Sequence, residues 1–369
     1  MLPLIALVIV LGVIIHLAAR TRADKLKALP NIYPLEVLSK EPRGEEVFIT
    51  TPDGTRLRAV SAGQGPTVVL AHGFMATVLE WNVIWDLLLA AGYRVISFDQ
   101  RGHGKSTIGT DGIGSRQMAG DYKAVLEHFA VKDAVFVGHS MGGFGLQAFM
   151  LTYPDSVRQH LKGAVLFATL VGNVLKDAPQ NRTQIPLLKY GIMKRVMASD
   201  TYGWLFGASL LGTPKCPVII KVTLDMLLTR DSKPLIPILE AMVQEDFSPR
   251  LGEISVPCVV ICGSEDMTTP RWQSETLGKL SQRAQRVGRR QGASAELGSA
   301  ASPGGRREIA VGGERTCVSS AQQQREQQRQ RPEQTVTQRA TIAVTQRGEQ
   351  QMRHDETGDE AQDALTGSR

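Results

Sequence analysis

Gly138-His139-Ser140-Met141-Gly142 is the stretch whose residue types and spacing most directly suggest chemistry. It fits Gly-x-Ser-x-Gly, a sharp strand-to-helix turn that exposes the serine hydroxyl. Its neighbours suit that turn. Val135-Phe-Val-Gly138 precedes it as an apolar strand, and Gly142–Tyr153 follows with helical periodicity. Bulky side chains beside the serine would collide with adjoining backbone, which accounts for the glycines. The helix start behind Ser140 favours developing negative charge. A serine so placed is a nucleophile for acyl transfer through a covalent acyl-enzyme. The substrate class is then a small-molecule ester, thioester or related acyl compound. A serine hydroxyl also needs a base, and the seven histidines stand at positions 16, 72, 103, 128, 139, 160 and 354.

The elements that must position Ser140 can be read around it. Glu46–Thr50 and Arg56–Ala62 flank Pro52-Asp53-Gly54, a hairpin turn. Short β-branched runs follow at Thr67–Ala71, Arg94–Phe98, Ala134–Val137, Gly163–Phe167 and Cys258–Cys262. Thr77–Ala91, Gln117–Phe129 and Gly142–Tyr153 lie between them with helical periodicity. Alternation of this kind predicts an α/β fold, a mostly parallel sheet covered on both faces. Its functional edge is the one holding the strand C-termini. From Leu170 to about Phe247 the alternation stops, and Leu, Met and Pro dominate. We read this stretch as a helical lid inserted between two strands.

Taken together these residues resemble the α/β-hydrolase family, in its serine esterase/lipase branch of monoglyceride-lipase-like and haloperoxidase-like enzymes. The resemblance covers roughly residues 45–280. His72-Gly-Phe74 is similar to the family's oxyanion loop, which implies that the backbone N–H groups of Phe74 and Met141 hold the oxyanion. Asp99-Gln-Arg-Gly-His-Gly-Lys-Ser106 resembles a Gly-rich structural loop under the site, so His103 is not expected to be the base. Gly263-Ser-Glu-Asp-Met-Thr-Thr-Pro270 resembles the acid loop. Asp266 is the implied triad carboxylate, with Glu265 the runner-up. Serine at position 140 excludes the relatives that use Asp there, the haloalkane dehalogenases and epoxide hydrolases.

In that family the order is Ser, Asp, His, so the catalytic histidine should follow Asp266 by some tens of residues. Only His354 follows it, deep in a polar stretch, and the catalytic His is unassigned. His128 and His160 are read as surface residues, and His139 as pointing away from the site. Trp272–Leu280 reads as an ordinary helix. From Ser281 onward the composition changes. No Phe, Tyr or Trp follows Trp272, and every basic residue after Lys279 is Arg. Such text cannot offset its ordering entropy, so residues 281–369 are expected to be disordered. It is also what GC-rich DNA gives out of frame. Reading Ser281–Gln285 one base later permits Pro-Asn-Ala-Arg, which resembles the family's lead-in to its last strand. The same shift permits Gly-His across Gly292, Ala293 and Ser294. Without that last strand and the helix after it, one sheet edge is expected to lie bare.

At the other end, Leu2–Ala19 is almost wholly apolar and, as a helix, ~27 Å long, near the thickness of a bilayer core. No basic residue precedes it, and Arg20, Arg22, Lys25 and Lys27 follow. That pattern favours an uncleaved transmembrane anchor (residues 1–22) over a cleaved signal, with the hydrolase domain cytoplasmic. A linker, residues 23–44, leads to the core. The net charge of +6 is concentrated after the apolar run and in the Arg-rich tail, so no nucleic-acid groove is expected. Cys216, Cys258, Cys262 and Cys317 lack metal-ligand spacing, and neither metal nor cofactor is expected. The leading reading is a membrane-anchored serine hydrolase impaired in its base. The alternative is a non-catalytic protein of the same fold that binds an acyl ligand.

Overall fold

The computed structural model describes residues 2–173, 184–229 and 231–290. Two helices, α1 (Leu2–Lys27) and α2 (Leu35–Leu38), precede a seven-stranded sheet. Its strands are β1 (Glu45–Thr50), β2 (Arg56–Ala62), β3 (Thr67–Ala71), β4 (Arg94–Phe98), β5 (Ala134–His139), β6 (Leu161–Phe167) and β7 (Cys258–Ile261), in the order β1-β2-β4-β3-β5-β6-β7. β2 pairs antiparallel with β1 and β4, and the remaining pairings are parallel. The helices between strands are α3 (Asn82–Ala90), α4 (Ser115–His128), α5 (Met141–Thr152) and α6 (Pro154–His160).

Side chains on successive residues of β3 leave opposite faces, and the burial follows that alternation. Val68 and Leu70 join Trp81, Trp85 and Val95 in one core. Val69 and Ala71 join Phe98, Tyr122, Phe136 and Phe149 in the other. All five residues of β3 are buried, as a central parallel strand covered on both sides requires. Helix α5 is buried on every side from Met141 to Leu151, which is why its sequence lacks a polar face.

The stretch read as a lid falls between β6 and β7 and is helical there among the described residues. Its helices are α7 (Gln184–Lys189), α8 (Ile192–Ala198), α9 (Tyr202–Ser209), α10 (Pro217–Leu228) and α11 (Ile236–Gln244). After β7 comes α12 (Arg271–Arg290), which runs ten residues past the expected end at Leu280. The rest of the expected tail, 291–369, lies outside the described residues. Among the described residues β7 is one of the sheet's two edge strands, the other being β1, and Val259 and Ile261 are 45% and 47% exposed there.

Two expectations need correction. Residue 22 is not a structural break: α1 continues to Lys27, and the stretch after it is held by specific contacts. Asn31 Oδ1 accepts from Val218 N (2.9 Å), and Trp85 Nε1 donates to Arg43 O (3.2 Å). His160 is not a surface residue. It is buried between α6 and β6, with Nδ1 2.6 Å from Val131 O.

Candidate active site

Ser140 lies between β5 and α5 with φ 50° and ψ −118°. That backbone region is sparsely populated for a residue with a Cβ and costs ~1–3 kcal/mol, so it persists only where the surroundings over-determine it. Here they do. Ser140 N–H donates to Phe167 O (3.0 Å), and Ser140 C=O accepts from Gly143 N (3.0 Å), Phe144 N (3.1 Å) and Thr169 Oγ1 (2.5 Å). The glycines are steric necessities. A Cβ on Gly138 would lie 2.6 Å from Gly142 O, and one on Gly142 would lie 2.3 Å from Ala71 O.

The loop after β3 leans on this turn. A Cβ on Gly73 would sit 3.4 Å from Ser140 Cβ and 3.1 Å from His139 Nδ1. Phe74, half-buried, is the residue after Gly73, and Met141, the residue after Ser140, opens α5. Buried polar bonds tie the two segments together. His72 Nε2 accepts from Gln100 N (3.0 Å), so its Nδ1 carries the proton given to Gly73 O (2.8 Å). Burial lowers the His72 pKa against the pull of Asp99 and Glu80, which keeps the ring neutral. Tyr122 O–H lies 2.5 Å from Gln100 Oε1 and 3.1 Å from Gly142 O, joining that loop to the serine turn.

The Asp99–Ser106 loop has the structural character expected of it. Asp99 accepts from Val78 N and Lys105 N, both at 2.9 Å, and a Cβ on Gly104 would strike its carboxylate. His103 is buried with Nδ1 3.0 Å from Arg101 O. Asp266 and Glu265 diverge. Asp266 accepts from Thr268 N (2.9 Å), Thr269 N (2.8 Å) and Thr269 Oγ1 (2.6 Å). Glu265 instead accepts from Thr213 Oγ1 of the lid (2.5 Å). Met75 and Ala76, which follow Phe74, line a small cavity with Met226, Leu227 and Leu235.

One pair escaped sequence reasoning. His139 does not point away; it abuts Gly73 and its Nδ1 pairs with Glu80, whose other oxygen accepts from Gly73 N (2.7 Å). Burial opposes charge on His139, but the Glu80 carboxylate and, beyond it, Asp266 outweigh burial and raise its pKa. Burial likewise opposes charge on Glu80, and His139 overcomes it and lowers the carboxyl pKa. Stability from the raised imidazole is complete below its unfolded pKa, ~6.5, and is lost as pH rises through the folded value. We expect the melting-temperature gap between wild type and Glu80→Gln to narrow on raising the pH above ~6.5. A gap that stays constant across that range would refute the pairing.

A sequence profile for the alpha/beta hydrolase fold matches residues 66–293, more than half of the chain. A non-heme haloperoxidase of Rhodococcus erythropolis is 27% identical over 234 residues, 60% of this chain and 83% of that protein. A bifunctional esterase/perhydrolase of Acinetobacter calcoaceticus is 26% identical over 233 residues, with the same coverage of 60% and 83%. An esterase structure from Exiguobacterium antarcticum superposes with TM-score 0.56 at 22% identity, covering 64% of this chain and 87% of that one, a likeness of fold.

Proposed function

Because the chain belongs to the alpha/beta hydrolase fold family, we propose that its site is built for hydrolysis of an acyl ester through an acyl-enzyme on Ser140. The observation that carries this reading is the strained Ser140 backbone held at the tip of β5 against the Gly73 loop. In the first step Ser140 Oγ bonds to the ester carbonyl carbon, and its proton passes to a general base, unassigned in this chain, which returns it to the leaving alcohol. The carbonyl oxygen becomes an anion facing the N–H groups of Phe74 and Met141. Collapse expels the alcohol, which takes a proton, and leaves the serine ester. Water then attacks that ester and releases the acid. Asp266 is the carboxylate that orients the base. Its engagement with its own loop, while Glu265 turns to the lid, favours it over the runner-up.

The base itself is the missing part. Only His354 follows Asp266 in the sequence, so the chain as it stands is a weak catalyst. That same observation favours a second reading, a non-catalytic protein holding an acyl ligand in the pocket. The test is turnover of short p-nitrophenyl esters by the chain and by Ser140→Ala. Any turnover that survives the substitution counts against Ser140 as the nucleophile.

The reading extends to location. Helix α1 is long and apolar enough to cross a bilayer, and we place it there as an uncleaved anchor with Arg20 and the residues after it on the cytoplasmic side. After a carbonate wash of membranes the full-length chain is expected to stay in the pellet. Its recovery in the soluble fraction would overturn the anchor.

A further inference from the structure

Helix α1 does not end free of the enzyme. Ala23, in its last two turns, is 1% exposed, and Leu26 packs on the larger hydrophobic core. The element it packs against is α9 of the lid. Three polar contacts fix the crossing. His16 Nδ1 lies 3.1 Å from the Tyr202 hydroxyl, Lys27 Nζ donates to Asp200 Oδ2 (2.7 Å), and the same ammonium lies 5.6 Å from the centre of the Trp204 ring.

The level of this crossing follows from helix geometry. The apolar run ends at Ala19, and Ala23 is four residues on, ~6 Å along the axis. Headgroup layers extend roughly 5–8 Å beyond the hydrocarbon on each side. His16 lies ~4.5 Å inside the end of the apolar run, so Tyr202 reaches the hydrocarbon boundary, where tyrosine is favoured. The lid surface has the composition of such a layer. Tyr190, Ile192 and Tyr202 are exposed, with Lys194 and Arg195 outward on α8, and Arg20, Arg22 and Lys25 are exposed on α1. Aromatic and aliphatic side chains interleaved with basic ones suit an anionic lipid surface.

We propose that the lid is seated on the bilayer, with α8 and α9 in the headgroup layer, so that the acyl substrate is a lipid-borne ester entering from the membrane side. This rests on the reading of α1 as an anchor. The lid also meets the loop after β3, where Met226 and Leu227 of α10 and Leu235, just before α11, line a small cavity with Met75 and Ala76.

The full-length chain in nanodiscs containing anionic lipid tests this. Cys262 and Cys317 are replaced by serine, the buried Cys216 and Cys258 are kept, and cysteines introduced one at a time carry an environment-sensitive fluorophore. Leu7→Cys reports on the anchor, Ile192→Cys and Tyr190→Cys on the lid, and Lys132→Cys on the opposite sheet edge before β5. Circular dichroism confirms that each variant is folded. Expected are a blue shift and a loss of intensity to spin-labelled lipid at 7, 190 and 192, and neither at 132. If 7 is quenched while 190 and 192 are as aqueous as 132, the lid stands clear of the membrane and the proposal falls alone. If 7 is not quenched, the anchor reading fails and the proposal falls with it.

Discussion

Shifting the reading frame after codon 280 is expected to raise ester turnover by about 10⁶-fold, the scale of loss when a catalytic serine or histidine is removed from a triad. On the proposed reading the chain as it stands keeps the elbow, the oxyanion loop and Asp266, and a residual ~10³–10⁴ over water from oxyanion stabilisation and binding is expected. It lacks, on that reading, a group to take the Ser140 proton and return one to the leaving alcohol. The structure adds a second consequence. β7 leaves Val259 and Ile261 about half exposed, and an open apolar edge invites aggregation. Poor folding and missing chemistry would look alike in a rate, so both chains must first be matched for soluble, folded protein. In the frame-shifted chain Ser140→Ala should erase the gain. If the original chain already turns esters over at full enzymatic rates through Ser140, one of the other histidines is the base. His139 would then be the first to examine, because it shares Gly73 with the serine. If the shifted frame holds no Gly-His, the non-catalytic reading stands.

The parts of this site that were legible in the sequence are those set by local rules. Thr67–Ala71 and Arg94–Phe98 form strands with the expected bounds because buried parallel strands are short runs of apolar residues between turns. The elbow was legible because its glycines are demanded within a few residues of Ser140. The single helix expected over Thr77–Ala91 is instead a 3-10 turn, Val78–Trp81, followed by α3. Thr77 Oγ1 caps that turn at Leu79 N, and the Glu80 carboxylate is drawn to Gly73 and His139. Neither pull has a signature in periodicity. The Glu80–His139 pair, the burial of His160 on Val131 O and the docking of α1 on the lid all join segments distant in sequence. A single sequence carries the residue types for such contacts but not the meeting.

Arg101→Ala is expected to destabilise the fold by about 3–5 kcal/mol, the usual result of removing one partner from a buried ion pair. Its guanidinium is 3% exposed and forks onto a carboxylate that is 2% exposed. Nε donates to Asp121 Oδ2 (2.7 Å) and Nη2 to Asp121 Oδ1 (2.6 Å), while Nη1 donates to Asp53 Oδ2 (3.1 Å) and Gly112 O (2.6 Å). Burial pushes the Asp121 carboxyl up to about 6, and Arg101 pulls against that rise, so the carboxylate is charged at neutral pH. Without Arg101 it must stay charged in a buried site or take up a proton, and either costs stability. A domain of this size loses ~2–4 °C per kcal/mol, so the melting temperature should fall by roughly 6–20 °C. Adding Asp121→Asn removes the stranded charge and should recover part of the loss, a non-additivity that marks direct coupling. An Arg101→Ala melt indistinguishable from wild type, or a double variant worse than the sum, would sink the argument. The Arg101 backbone carbonyl, which the substitution keeps, lies 3.0 Å from His103 Nδ1, and the His103 ring stands 6.1 Å from that of Phe74, so the melting temperature rather than activity is the readout of the ion pair.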